Sequence, residues 1–152
     1  MKTLRKALSW IAFFLVAALI LGFLMEIVNR GTAAASSVYD EFYPIIEKIN
    51  RSAPIMAEPG VRLDGASIDR STGIRYRYTL TELYPEQFDP QTALQNRSKM
   101  REQVARDSCN HPDMAPAIRA GVTFVHDYHD AHGERYVTIT VDQRTCERAG
   151  YM

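Results

Sequence analysis

With 152 residues the chain has room for one ordinary domain and an attached segment, and two full domains would be crowded. Its 18 basic and 18 acidic residues cancel, and the part beyond residue 30 is slightly acidic because Lys2, Arg5, Lys6 and Arg30 lie ahead of it. No field for a polyanion follows from that balance, so nucleic acid is not an expected partner.

The first element is apolar. From Ala7 to Met25 the chain carries no charge, and about 19 residues at ~1.5 Å each span roughly 28 Å, close to a hydrocarbon core. Lys2, Arg5 and Lys6 precede it, while Glu26 and Arg30 nearly cancel after it. The positive-inside bias then predicts a cytoplasmic N-terminus. Residues 1–30 are read as a single-pass inner (cytoplasmic) membrane anchor and 31–37 as a small-residue linker. Residues 38–152 are read as an exported α+β domain in the periplasm. Cleavage after Ala35, in the run Ala33 to Ala35, would instead release a secreted form. No cysteine lies in or just after the apolar run, which excludes a lipoprotein-type attachment.

Ser37, followed by Asp40, has the form of a helix start. Val38, Phe42, Ile45, Ile46 and Ile49 then recur at helical spacing and predict a core-facing stripe. Pro44 favours a regular part beginning near Phe42, and Pro54, Pro59 and Gly60 end the helix. Val61 to Ile68 and Gly73 to Leu80 read as a hairpin. In its second strand Ile74, Tyr76, Tyr78 and Leu80 share one face, and Arg75, Arg77 and Thr79 the other.

Asp89 before Pro90 marks the start of a second helix reaching about Ser108, with Ala93, Leu94, Met100, Val104 and Ala105 as its apolar side. Val122, Phe124, His126 and Tyr128 alternate, Gly133 sits in a turn, and Tyr136 to Val141 has high β-propensity. These elements predict an α+β fold: a transmembrane helix, then a helix-hairpin-helix-hairpin domain with a small antiparallel sheet and one disulfide.

Cys109 and Cys146 are the only cysteines. An even count in an exported domain points to a disulfide. Closing the span between them would stabilise the fold by roughly 4 kcal/mol in the chain-entropy model. Redox chemistry is a poor fit because neither belongs to a CxxC pair.

Three patterns are candidate sites. His126, His129 and His132, within a segment ending at Glu134, are ligand types suited to zinc or copper, provided the turn folds them together. Tyr76, Tyr78, Phe124, Tyr128 and Tyr136 could line an aromatic groove for a peptide or apolar ligand, or simply form core. Arg62, Arg75 and Arg77 could present a docking face to an acidic partner. No GxSxG, Walker loop, dinucleotide fingerprint or nucleophilic-cysteine signature is present, so no catalytic residue is assigned and no cofactor is implied.

From about Pro59 to Cys146, the tyrosine-rich strand GIRYRYTL, a helix ending in Cys109, the segment GVTFVHDYHDAHGERYVTITV and then Cys146 resemble, in layout, small periplasmic α/β proteins of the secretion-pilotin type. The resemblance implies a domain that binds a segment of a secretin subunit and helps it reach the outer membrane, with a disulfide holding helix to sheet. The departure is the N-terminus, where an apolar run stands in place of a lipidated cysteine. The expectation is a noncatalytic interaction module with an envelope protein partner, an accessory of a secretion or envelope assembly. The alternative is a metal- or small-ligand-binding exported domain using the His126 to Glu134 hairpin.

Overall fold

The structure, a computed structural model, describes residues 37–152. The apolar segment Ala7–Met25, the cleavage position at Ala35 and linker residues 31–36 lie outside the described residues. Among the described residues no helix is long and apolar enough to cross a membrane.

The first helix, α1, covers 37–52. Three strands follow, β1 (Ile55–Glu58), β2 (Val61–Asp69) and β3 (Gly73–Leu80). A single 3-10 turn at Pro85–Gln87 leads into α2 (Pro90–Asn110) and α3 (Met114–Arg119), then β4 (Phe124–His129), β5 (Arg135–Val141) and α4 (Gln143–Arg148). The five strands form one sheet in the order β1-β2-β3-β4-β5. Every neighbouring pair is antiparallel except β3 and β4, which run parallel from Ile74↔Phe124 to Thr79↔His129.

The expected fold class is therefore corrected. A helix-hairpin-helix-hairpin order on a small antiparallel sheet does not describe a five-stranded mixed sheet, and no transmembrane helix is found among the described residues. The reason is the connection: α2 and α3 carry the chain from the end of β3 back to the level of its start, so β4 enters alongside β3 in the same direction. The Pro59-Gly60 pair, read as the end of a helix, is instead the turn between β1 and β2, with Gly60 at φ +77°. Ile55–Glu58 was missed because the strand is short and all four residues are exposed, which leaves no alternation to see.

Sheet alternation separates two environments. On one face Ile74, Tyr76, Phe124, Ile139 and Val141 join Tyr39, Phe42 and Ile46 of α1, Cys109 of α2, Ile118 of α3 and Cys146 of α4 in a single buried cluster. Ile45, expected on the core stripe, is 46% exposed, and Leu94 on α2 is 59% exposed. Pro44 lies inside α1, where the burial of Phe42 and Ile46 on either side of it holds the helix despite the missing N–H.

Local signals anchor the rest. The Asp89 side chain accepts hydrogen bonds from the backbone N–H groups of Gln91 and Thr92, and that of Asp142 accepts from Thr145 at the start of α4. Cys109 and Cys146 are disulfide-bonded with a Cα separation of 5.7 Å. The bond ties α2 to α4; the anticipated tie to the end of the sheet is displaced by the short helix that Asp142 starts. Gly73 sits at φ +109°, and a Cβ there would lie 2.3 Å from the carbonyl oxygen of Thr123, so only glycine allows β3 to meet the approach to β4.

Candidate functional site

Because β3 and β4 are parallel and in register, their inward rings form a column. Phe42 meets Phe124 edge-on at 5.5 Å, Tyr76 stacks on Phe124 at 6.5 Å and on His126 at 5.7 Å, and Tyr78 stacks on His126 at 6.1 Å and on Tyr128 at 4.8 Å. The column runs from the buried core outward. Tyr76 and Phe124 are closed off beneath α1, whereas Tyr78 and Tyr128 are half-buried and form the floor of an open groove.

This groove has a volume of about 530 Å³. Met100 and Val104 of α2 make one wall, Ala57 and Glu58 of β1 with Val61 and Leu80 make the other, and Ser108 and His126 close the inner end. The lining is mainly apolar and aromatic, with Glu58 and Asp107 as its charged members. Burial, with a smaller contribution from Glu58 and Asp107, pushes the Tyr128 hydroxyl up to about 12. Burial likewise raises Tyr78, helped by its neighbours Tyr128, Tyr76 and Glu58, and raises Tyr76 to about 12. These phenols are neutral hydrogen-bonding groups at any physiological pH.

At the inner end Ser108 Oγ lies 3.3 Å from His126 Nε2. Both side chains are buried, and His126 Nδ1 has no hydrogen-bond partner among the described residues. Burial pushes His126 down to about 4. As a nucleophile and base the pair is poorly made: no carboxylate orients the ring, and a base of such low pKa accepts a proton weakly at neutral pH. Its physical role is to join α2 to β4 beneath the groove.

The remaining aromatic candidate, Tyr136, stands apart. It occupies the irregularity in the β4–β5 register, donates its hydroxyl to the Ala93 carbonyl at 3.4 Å and lies under the Arg97 guanidinium at 4.8 Å. It packs α2 onto β5 and does not line the groove.

The three histidines of the metal alternative are not brought together. His126 points into the helix-covered face, His129 lines a hollow on the opposite face, and His132 in the turn bonds Glu86 at 3.0 Å and meets the Tyr84 ring edge-on. The Glu86 hydrogen bond and charge raise His132. Among the described residues no group of three or more histidine, cysteine or acidic side chains is placed to hold a metal ion. The physical reason is strand alternation, which sends His126 and His129 to opposite sides, while the turn leaves His132 outside both.

The open face of the sheet carries the arginines. Arg62 donates to Asp64 at 2.6 Å, and Thr79 donates to the same carboxylate at 2.6 Å. Arg75 pairs with Asp127, which also accepts from Thr138. Burial works to raise the Asp127 carboxyl, but the hydrogen bonds from Thr138 and Arg75 outweigh it and hold the group below its ordinary value. Arg77 lies between these two clusters and makes no ion pair among the described residues.

Met100 and Val104, on the apolar side of α2, pack against the core cluster and also line the groove. Ser108, Glu58 and Arg135 had been overlooked. Glu58 and Ser108 carry no local signal, since the β1 pairing and the α2 packing that place them are both set by tertiary contacts. For Arg135 the strand pattern was available, but the bulge at Tyr128/His129 shifts which residues face outward.

No protein-family model and no curated protein matches this sequence. Solved structures do. A putative secreted protein from Pseudomonas aeruginosa aligns over 74% of this chain and 96% of its own, at 10% identity and a TM-score of 0.56. The pilotin EpsS from the Vibrio vulnificus type 2 secretion system aligns over 75% and 96%, at 10% identity and a TM-score of 0.55. The type II secretion system pilotin AspS from Vibrio cholerae gives 75% and 96%, at 10% identity and a TM-score of 0.54. The single-pass inner-membrane placement is corrected accordingly. No described helix can cross a membrane, and a protein sharing the fold is described as secreted. The layout resemblance to secretion pilotins is a resemblance of fold, shared along almost the whole of each of those chains.

Proposed function

We propose that the domain is a noncatalytic interaction module, an accessory of a secretion or envelope assembly, and that it holds an apolar segment of an envelope protein in the groove between α2 and β1 to β4. The observation that carries this reading is the groove itself. An opening of about 530 Å³ with the stacked rings of Tyr78 and Tyr128 as its floor offers a partner large apolar contact at low entropic cost. The fold supports it as well, because two of the solved structures that share it are pilotins of type II secretion systems. The short exposed strand β1 borders the opening, so an extended segment has main-chain groups within its reach.

Site-specific photo-crosslinking in living cells tests the reading. With the reactive group at Val104, the expected adduct is a component of a secretion or envelope assembly, absent when the group is placed at Gln143 on α4. An adduct pattern that is the same from both positions, or none from Val104, would remove the groove as the docking site.

A further inference from the structure

We propose that the open face of the sheet is a second docking site, independent of the groove, where Arg77 and Arg135 take the carboxylates of an acidic peptide segment. The two arginines line one hollow of about 320 Å³ together with His129, Thr79, Asp64 and Asp127. Both are exposed and neither makes an ion pair among the described residues.

What distinguishes Arg77 and Arg135 from the other cations of this face is where the aspartates are committed. Asp64 is held by Arg62 and Thr79, and Asp127 by Arg75 and Thr138. The four arginines and two aspartates of the face leave two guanidinium groups outside any ion pair, although Asp64 and Asp127 line the same hollow and the Arg135 charge reaches Asp127. A guanidinium fork presents paired N–H donors that match a carboxylate in two parallel hydrogen bonds. Arg77 also borders a neighbouring hollow with Asp64, Ser67 and Arg75, so a polar surface continues along β3 beside the first. Asp64 and Asp127 in the floor disfavour a compact dianion such as phosphate more than a singly charged side chain. A run of glutamate or aspartate spaced along a peptide fits that charge pattern best.

The test is fluorescence anisotropy of a labelled oligoglutamate peptide on the full chain at low ionic strength. Binding should weaken by about tenfold or more in the double variant Arg77→Gln with Arg135→Gln, the loss expected for two charge-assisted contacts. It should fall as salt rises. The double variant Arg77→Lys with Arg135→Lys should lie between, since it keeps the charge and loses the fork. Both positions are exposed, and an unchanged unfolding midpoint in the lysine variant separates lost binding from lost fold. Met100→Glu in the groove should leave the affinity unchanged. No binding by the unaltered chain, equal binding by the glutamine variant, or displacement by equimolar inorganic phosphate would each overturn the assignment.

Discussion

Ser108 Oγ and His126 Nε2 face one another at 3.3 Å across the junction of α2 and β4, both buried at the inner end of the groove. Through this contact and the stack of Tyr76 and Tyr78 on its ring, a polar residue serves as a core residue beneath the groove. The same arrangement keeps the imidazole neutral.

That neutrality has a pH signature. His126 has its pKa lowered to about 4 by burial, against an unfolded value near 6.5, so between those values the unfolded chain binds the extra proton. Stability should fall as pH is lowered from about 6.5 to about 4, by about 3 kcal/mol for this group. His132, raised by Glu86, acts with the opposite sign over its own range. The quantity to measure is the difference between wild type and His126→Phe in urea unfolding across this window. The variant should lack the His126 slope, and parallel curves would refute it.

The disulfide should account for a large share of stability. Replacing both Cys109 and Cys146, which are buried in the core cluster, with alanine should lower the unfolding free energy by about 4 kcal/mol. Thermal unfolding with and without a reductant measures the same loss in the unaltered chain, and a midpoint indifferent to reduction would contradict it.

In the groove, Met100→Glu places a charge in the apolar lining at a half-buried position that packs against the core cluster without being one of its buried members. The expected result is a drop of at least about tenfold in affinity for the captured partner, equivalent to about 1.4 kcal/mol. The accompanying loss of stability should stay at about 1 kcal/mol, the usual cost of a substitution at a half-buried position, and a folded variant keeps the affinity readout interpretable. A partner affinity that survives this change would place the contact elsewhere on the domain.

Gly73→Ala should be far more damaging than Gly133→Ala. Both glycines have positive φ, but a Cβ at Gly73 meets the Thr123 carbonyl at 2.3 Å, whereas nothing lies within 4 Å of one at Gly133. The first should cost at least about 2 kcal/mol and the second about 1 kcal/mol, the latter from backbone conformation alone. Denaturant titration of the two variants decides it.

Asn50 gives a further measure of how α1 holds the sheet. Its side-chain amide accepts from the Ala66 N–H and donates to the Ala66 C=O, each at 2.8 Å, beside the irregularity in β2. Asn50→Ala leaves both backbone groups to water and should cost about 1 to 2 kcal/mol. Faster hydrogen exchange at Ala66 should accompany the loss, and unaltered exchange would show that the side chain contributes nothing there.

The sequence by itself determined the local pieces of this domain. Alternation in Ile74 to Leu80 separated the tyrosine face from the arginine face, Asp89-Pro90 placed the start of α2, and Tyr136 to Val141 marked a strand, because side-chain period and capping chemistry are set by neighbours along the chain. Only the tertiary structure decided how the pieces combine. The parallel pairing of β3 with β4 depends on the path of α2 and α3, and it is this pairing that aligns Tyr78 with Tyr128 and Tyr76 with His126. It also decides which arginines are neutralised: Asp127 reaches Arg75 across 52 positions, and Asp64 shares Thr79 with Arg62. Such pairings depend on through-space distance, which no local pattern encodes, so the tyrosine and arginine faces were legible along the chain while the division of the rings between groove and core, and of the arginines between paired and unpaired, was not.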